Sequence, residues 1–393
     1  MSESRSQFAL FNYGFRPFFL LAGLYAVIAM MLWLLALLLK VGLAADQPAY
    51  LWHGHEMLFG FISAAITGFL LTAVPSWTGQ RGFSGLPLII LAIVWLSGRL
   101  LFIFQAYSPP ALIMAVDLAY FPLLGLMLAP SLLRGKSRNL VFMLFLLLLF
   151  VSNLIFHQAT WLNDFTLASN GLLLGINTVL LIIAIIGGRI VPAFTLSAVR
   201  RTDETFSIMP FPALDRAAIF SIALILIIDL IWPSSQLAGW LAILTAVIHA
   251  GRFLRWKTWR CLSEAIVWIL HIGYAWLIIG LALKGVFLLT GMAVSTAWLH
   301  ALTSGLFATM ILAVMSRAAL GHTGRPLIAP PLIAAAYVLI TLAAIVRVSG
   351  PLFPGIYLYS ITIAGGLWIG AFTLFLIVYA PILVTPRVDG KPG

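Results

Sequence analysis

The hexapeptide Trp52-His53-Gly54-His55-Glu56-Met57 puts two imidazoles and a carboxylate at the head of an apolar run that continues to Pro75. An ionisable side chain at the centre of a lipid-embedded helix costs about 2.5–3.5 kcal/mol, so three together imply bound partners. Neutral imidazole suits haem iron, copper and zinc, and ligation of a metal or cofactor is the chemistry these residues point to. Residues at i and i+2 of a helix point about 200° apart. His53 and His55 therefore share one ion only where the chain is not yet helical, and otherwise face different partners.

What must position them is a membrane. Of 393 residues 63% are hydrophobic and 8% charged, with a mean hydropathy of +1.11, values that no soluble globular domain approaches. The chain reads as an all-α polytopic membrane protein forming a single transmembrane domain over 1–393. A span needs about 20 apolar residues. Twelve candidates run at 18–39, 52–75, 86–106, 110–130, 139–160, 168–189, 216–233, 236–252, 264–284, 293–316, 327–347 and 355–384.

The net charge of +11 then belongs to cytoplasmic connections, where basic residues are retained, and not to a nucleic-acid surface. Arg5, Arg16, Arg81, Arg134, Lys136, Arg138, Arg189, Arg200, Arg201, Arg216, Arg252, Arg255, Lys257, Arg260, Arg317, Arg325, Arg387 and Lys391 fall in the terminal segments or in alternate connections. The intervening connections hold only Lys40, Lys284 and Arg347. Both termini (1–17 and 385–393) are thus expected in the cytoplasm, with 190–215 the longest cytoplasmic loop. The polar first 16 residues, Arg5 and Arg16 among them, lead into the first span without a small-residue cleavage site and read as retained. A lone cysteine, Cys261, excludes an intrachain disulfide, a thiolate-held iron–sulfur cluster and covalent c-type haem attachment.

With that orientation the seven histidines sort into two layers. His53, His55, His157 and His300 share the outer half with Glu56, Arg99, Asp117 and Asn153. His249, His271 and His322 lie toward the cytoplasm. An acid, a base and an amide at one depth can neutralise each other, or Arg99 can bind haem propionates. A single membrane histidine is most often a hydrogen-bonded packing residue, but seven in two layers resist that explanation. Gly187-Gly188-Arg189, followed by Pro192, reads as a plain helix stop or as an anion-binding terminus. An internal echo is also present: His55, Gly60 and Thr78-Gly79 recur as His300, Gly305 and Thr323-Gly324, with identical offsets of 5, 23 and 24 residues. Three units of four helices fit the count.

Gly14-Phe15-Arg16-Pro17-Phe18-Phe19, the Trp52–Met57 segment, Gly187–Thr195 and Gly321-His322-Thr323-Gly324-Arg325-Pro326 together resemble the NnrS family over nearly the whole chain. The resemblance implies a bacterial inner-membrane protein with twelve spans that contains haem b and copper and is associated with denitrification and nitric oxide stress. Nitric oxide would be its small ligand, and oxidoreductase conversion, sequestration and sensing all stay open. No motif marks an electron donor. By analogy with haem–copper oxidases, whose haem sits between helices two and ten of three four-helix arcs, His55 or His53 and His300 would hold the haem, with Arg99 on its propionates. His157 and the other outer histidines would bind copper, with His249, His271 and His322 as an alternative copper centre. Glu56 would carry protons or orient a ligating imidazole. The competing expectation is a copper or anion transporter with histidine stations across the membrane.

Overall fold

The computed structural model describes residues 8–40, 47–134, 138–292 and 295–391; Arg5 and Lys136, counted above among the cytoplasmic basic residues, lie outside them. Over the described residues the chain is helical throughout: α1 (Phe15–Leu39), α2 (Ala49–Thr78), α3 (Leu86–Ile103), α4 (Pro110–Arg134), α5 (Val141–Trp161), α6 (Phe165–Val199), α7 (Pro212–Ile231), α8 (Gln236–Leu254), α9 (Ala265–Thr290), α10 (Thr296–His322), α11 (Pro331–Ser349) and α12 (Tyr357–Val384). Eleven of them are long and apolar enough to cross a membrane. The remaining one is α7, whose 20 residues include Asp215, Arg216 and Asp229. The protein is a polytopic helical membrane protein.

Local chemistry sets many of the helix ends. Prolines stand at the first or second position of α3, α4, α7 and α11, where a missing N–H costs nothing. Gly79 and Gly291 close α2 and α9 at φ +66° and +68°, a left-handed conformation that glycine adopts without strain. Inside α4 the helix breaks at Ala119, because Pro122 cannot donate to the carbonyl of Leu118 four residues back.

Several boundaries differ from expectation. Helix α9 runs on to Thr290 and α10 to His322, past the expected 284 and 316, so Lys284, like Arg347 in α11, lies in a helix and not in a connection. The largest difference is in α6. The helix does not stop at Gly187-Gly188-Arg189: α6 continues to Val199, since 190–199 stays apolar, and the connection expected over 190–215 shrinks accordingly. Gly188 has another use. A side chain there would collide with the guanidinium of Arg252, which donates to the carbonyl of Ala184 at 2.8 Å and to Asp215 at 2.7 Å.

The chain divides into two compact units, one of 1–175, 318–327 and 375–393, the other of 176–317 and 328–374. In the first, α1 packs along α2, and α2 also meets α3 and α4. Arg16 is buried and its Nη1 donates to the carbonyls of Leu383 (2.9 Å) and Thr385 (2.7 Å), groups at the end of α12 that lack helical partners. His322 lies against Tyr13 and Phe15, and its carbonyl accepts from Arg387 at 2.7 Å. The Gly14–Phe19 and Gly321–Pro326 motifs therefore meet around the last residues of the chain. In the second unit α8 packs between α7 and α9, and α9 lies against α10.

Two helices carry an unusual turn. In α2 a π-helical stretch, Glu56–Ile62, begins one residue after His55, and in α10 another, Ala301–Phe307, begins one residue after His300. The echo seen in the sequence thus extends to the backbone. Gly60 receives the ring of Tyr25 and Gly305 the ring of Trp276, while Gly79 and Gly324 both have positive φ, +66° and +74°. Both π helices lie in the interior: 83% of the apolar window of α2 and 67% of that of α10 is buried, against 33% for α3.

Close packing at glycine gives a stability test. A Cβ on Gly68 would stand 2.7 Å from Cδ1 of buried Phe19, whereas one on Gly366 meets nothing within 4 Å. Gly68→Val is expected to cost about 1–3 kcal/mol through overpacking. Its Tm in detergent should fall, and that of Gly366→Ala should not.

Candidate metal centre

Four helices of the first unit aim polar groups at one buried point. From α2 come His55 and Glu56, from α3 Arg99, from α4 Asp117 and from α5 Asn153 and His157. All six are at most 6% exposed, so water screens none of them. The approach of α3 requires Gly98, where a Cβ would come within 3.0 Å of Asp117 Oδ1.

Asp117 is the hub. Its Oδ2 accepts from Asn153 Nδ2 at 2.8 Å and lies 2.9 Å from His157 Nε2 and 3.2 Å from His55 Nε2. Oδ1 accepts from Arg99 Nη2. On the far side of His55, Nδ1 stands 2.8 Å from Glu56 Oε1, which also accepts from Arg99 Nη1 at 3.1 Å; Glu56 Oε2 accepts from the Tyr25 hydroxyl. The imidazole of His55 is stacked on Phe102 with centroids 4.1 Å apart and flanked by Phe156 at 4.5 Å and Phe59 at 4.9 Å.

The π turn belongs to this arrangement. A widened turn offsets its carbonyls from the usual i+4 donors, and here side chains reach them: Ser63 and Trp95 both donate to the Gly60 carbonyl, at 3.1 and 3.2 Å. Tyr25, which bonds Glu56, also meets Trp95 edge to face at 5.3 Å. One turn thereby aligns His55, Glu56 and Tyr25.

Charge completes the description. Two carboxylates, Glu56 and Asp117, face one guanidinium, Arg99, leaving a surplus of one negative charge in an apolar surround. That surplus is the formal count with both acids ionised; a proton on the buried Glu56 carboxyl or on an imidazole, or a metal cation, balances it. One nitrogen each from His55 and His157 and a carboxylate oxygen of Asp117 lie within 4.8 Å of one another, close enough to hold an ion. Among the described residues no other three His, Cys, Asp or Glu side chains are gathered in this way.

The NnrS protein family model matches residues 9–387. The chain belongs to the NnrS family. Comparison with curated proteins yields no match.

None of the remaining candidates of this NnrS-family chain is a member of that cluster. His53 stacks on Trp33 at 4.4 Å. His300 and Thr296 bond through Nδ1 and the backbone carbonyl at 2.7 Å, in the second unit. His249 has Nδ1 against the Tyr274 hydroxyl (2.7 Å) and Nε2 on the Ala218 carbonyl (3.0 Å). His271 bridges the hydroxyls of Thr195 (2.7 Å) and Thr258 (2.8 Å). Those two belong to the second unit and His322 to the first. Cys261 bonds the Thr258 carbonyl, and burial pushes its thiol up to about 11, away from the thiolate a metal would need.

Sequence reasoning put Asp117 and Asn153 in the correct layer but named neither as a ligand, and it missed Tyr25. A lone carboxylate inside a span was the available signal for Asp117. For Tyr25 there was none, because its role depends on the azimuth of α1.

Removing one partner of a buried ion pair strands the other, at about 3–5 kcal/mol. Arg99→Met strands two carboxylates. In a denaturant titration its unfolding midpoint should drop sharply, and Arg99→Met/Glu56→Gln should recover part of the loss. Strict additivity of the two changes would show that the groups are not coupled.

Proposed function

We propose that this NnrS-family protein binds a copper ion at His55, Asp117 and His157 and a b-type haem through His300, and that it acts in the response to nitric oxide. The observation that carries the reading is the convergence of two imidazoles on a buried carboxylate. Nitrogen and oxygen donors without a thiolate suit copper, and its positive charge is met by the Asp117 carboxylate. With an ion on His55 Nε2, Nδ1–H donates to Glu56, a carboxylate–imidazole pairing that holds the tautomer and raises ligand basicity. Asn153 would keep its bond to Asp117 and so orient the third ligand.

The surroundings of the two histidines favour different groups. Both ring nitrogens of His55 are directed at protein groups and phenylalanines crowd the ring, which suits a small ion and not a macrocycle. At His300, Nδ1–H donation to the Thr296 carbonyl leaves Nε2 as the basic nitrogen, the tautomer an axial imidazole needs. No second histidine or carboxylate joins it in a three-ligand group among the described residues, so a metal there would arrive already chelated. When bound, ferrous haem supplies an open axial position for nitric oxide and copper a one-electron couple.

In this reading the protein lies in a bacterial inner membrane with both termini cytoplasmic and with α7 as its twelfth span. Four-helix grouping is supported by the spacing of 245 residues that relates the two π turns, Gly79 to Gly324, and the first residues of α3 and α11. A second reading, transport of copper or an anion, is favoured by one observation: the buried pair Lys284–Asp229, joined by Asn177 at 2.8 Å, which could gate a path.

Copper and haem quantification on purified protein tests both. Wild type should hold both groups, His157→Ala should lose copper and keep its Soret band, and His300→Ala should do the reverse. A colourless wild-type protein that moves copper into proteoliposomes would leave transport standing in its place.

A further inference from the structure

The second unit contains a cation that its own residues leave unmatched. Arg347, near the end of α11, is half-buried; Nη2 donates to the Tyr357 hydroxyl at 3.3 Å and the guanidinium lies 5.3 Å from the Tyr357 ring centroid. Its Nη1 is buried and has no hydrogen-bond partner among the described residues. Of the acids in this unit, Asp203 pairs with Arg260, Asp215 with Arg252, Asp229 with Lys284 and Glu264 with Arg201. Glu204 is exposed in the connection between α6 and α7. No described carboxylate is left for Arg347.

The Tyr357 hydroxyl also reaches Thr296, whose carbonyl accepts from His300. A buried N–H on a guanidinium that no described carboxylate meets calls for an acceptor with negative charge. A carboxylate has acceptor oxygens only, and the planar guanidinium fork matches it.

We infer that Arg347, held by Tyr357 one turn from His300, is a carboxylate-binding residue, and that the carboxylate is a propionate of the haem on His300. The second half rests on the haem reading above; the first does not. Arg99, the guanidinium first considered for propionates, is engaged by Glu56 and Asp117, while Arg347 has a donor to spare.

Haem and its dimethyl ester, which lacks free carboxylates, distinguish the possibilities. Haem-depleted wild type should bind haem about tenfold or more tightly than the ester, the range expected for a hydrogen bond to a charged group. Arg347→Ala should bind the two alike, and Arg347→Lys, which keeps the charge and the fold but not the fork, should fall between. Equal discrimination in wild type and Arg347→Ala, or none in wild type, overturns the propionate assignment. Should wild type bind neither porphyrin, the haem reading fails by itself, and acetate and succinate become the probes. A rise in Tm with either in wild type, absent in Arg347→Ala, then supports a free-carboxylate site, and no rise in wild type overturns the site altogether.

Discussion

A carboxylate taken out of water must be met by donors, and in this protein Asp117 imposes that condition on four helices at once. Each of its oxygens is occupied: one by Arg99, the other by Asn153 with two imidazole nitrogens close by. Helices α2, α3, α4 and α5 are therefore fixed in mutual azimuth by a polar requirement and not by apolar packing alone, since lipid tails are as apolar as the leucines that face them. Small residues serve the same end. Gly98 admits α3 to Asp117 and Gly60 admits Tyr25 to Glu56.

Two local sites have opposite formal charge. The buried cluster around Asp117 has one more carboxylate than guanidinium, and Arg347 is a half-buried guanidinium that no described carboxylate meets. Such imbalances are costly in a low dielectric and are retained where a bound group of opposite sign removes them. A cation among imidazoles and an anion beside Arg347 are the complements, the signs that the proposed copper ion and haem propionate carry.

Repetition relates α2 to α10. In each, a histidine precedes a π turn, a glycine in that turn accommodates an aromatic ring from another helix, and a left-handed glycine follows the end of the helix. The surroundings have diverged. His55 has Glu56 beside it and Asp117 opposite, whereas His300 is followed by Ala301 and bonds a backbone carbonyl. One backbone device thus presents imidazole in two chemical settings, consistent with the enrichment of π turns at functional positions.

Local properties were legible from the residues alone. Hydropathy located the spans though not all of their ends, spacing exposed the 245-residue echo, and the cost of charge in lipid singled out Glu56, Arg99 and Asp117. Each depends on neighbours along the chain. Where α6 ends was misjudged because Gly-Gly and proline normally stop a helix, and only the passage of Arg252 across Gly188 explains why these glycines lie inside one. Tertiary structure alone decided that His157, and neither His53 nor His300, joins His55 in the cluster, and that Arg99 serves two acids while Arg347 retains a free donor. Depth in a membrane is written in sequence position, but the direction a side chain faces, and which helix stands there to meet it, comes from contacts between residues far apart in the chain.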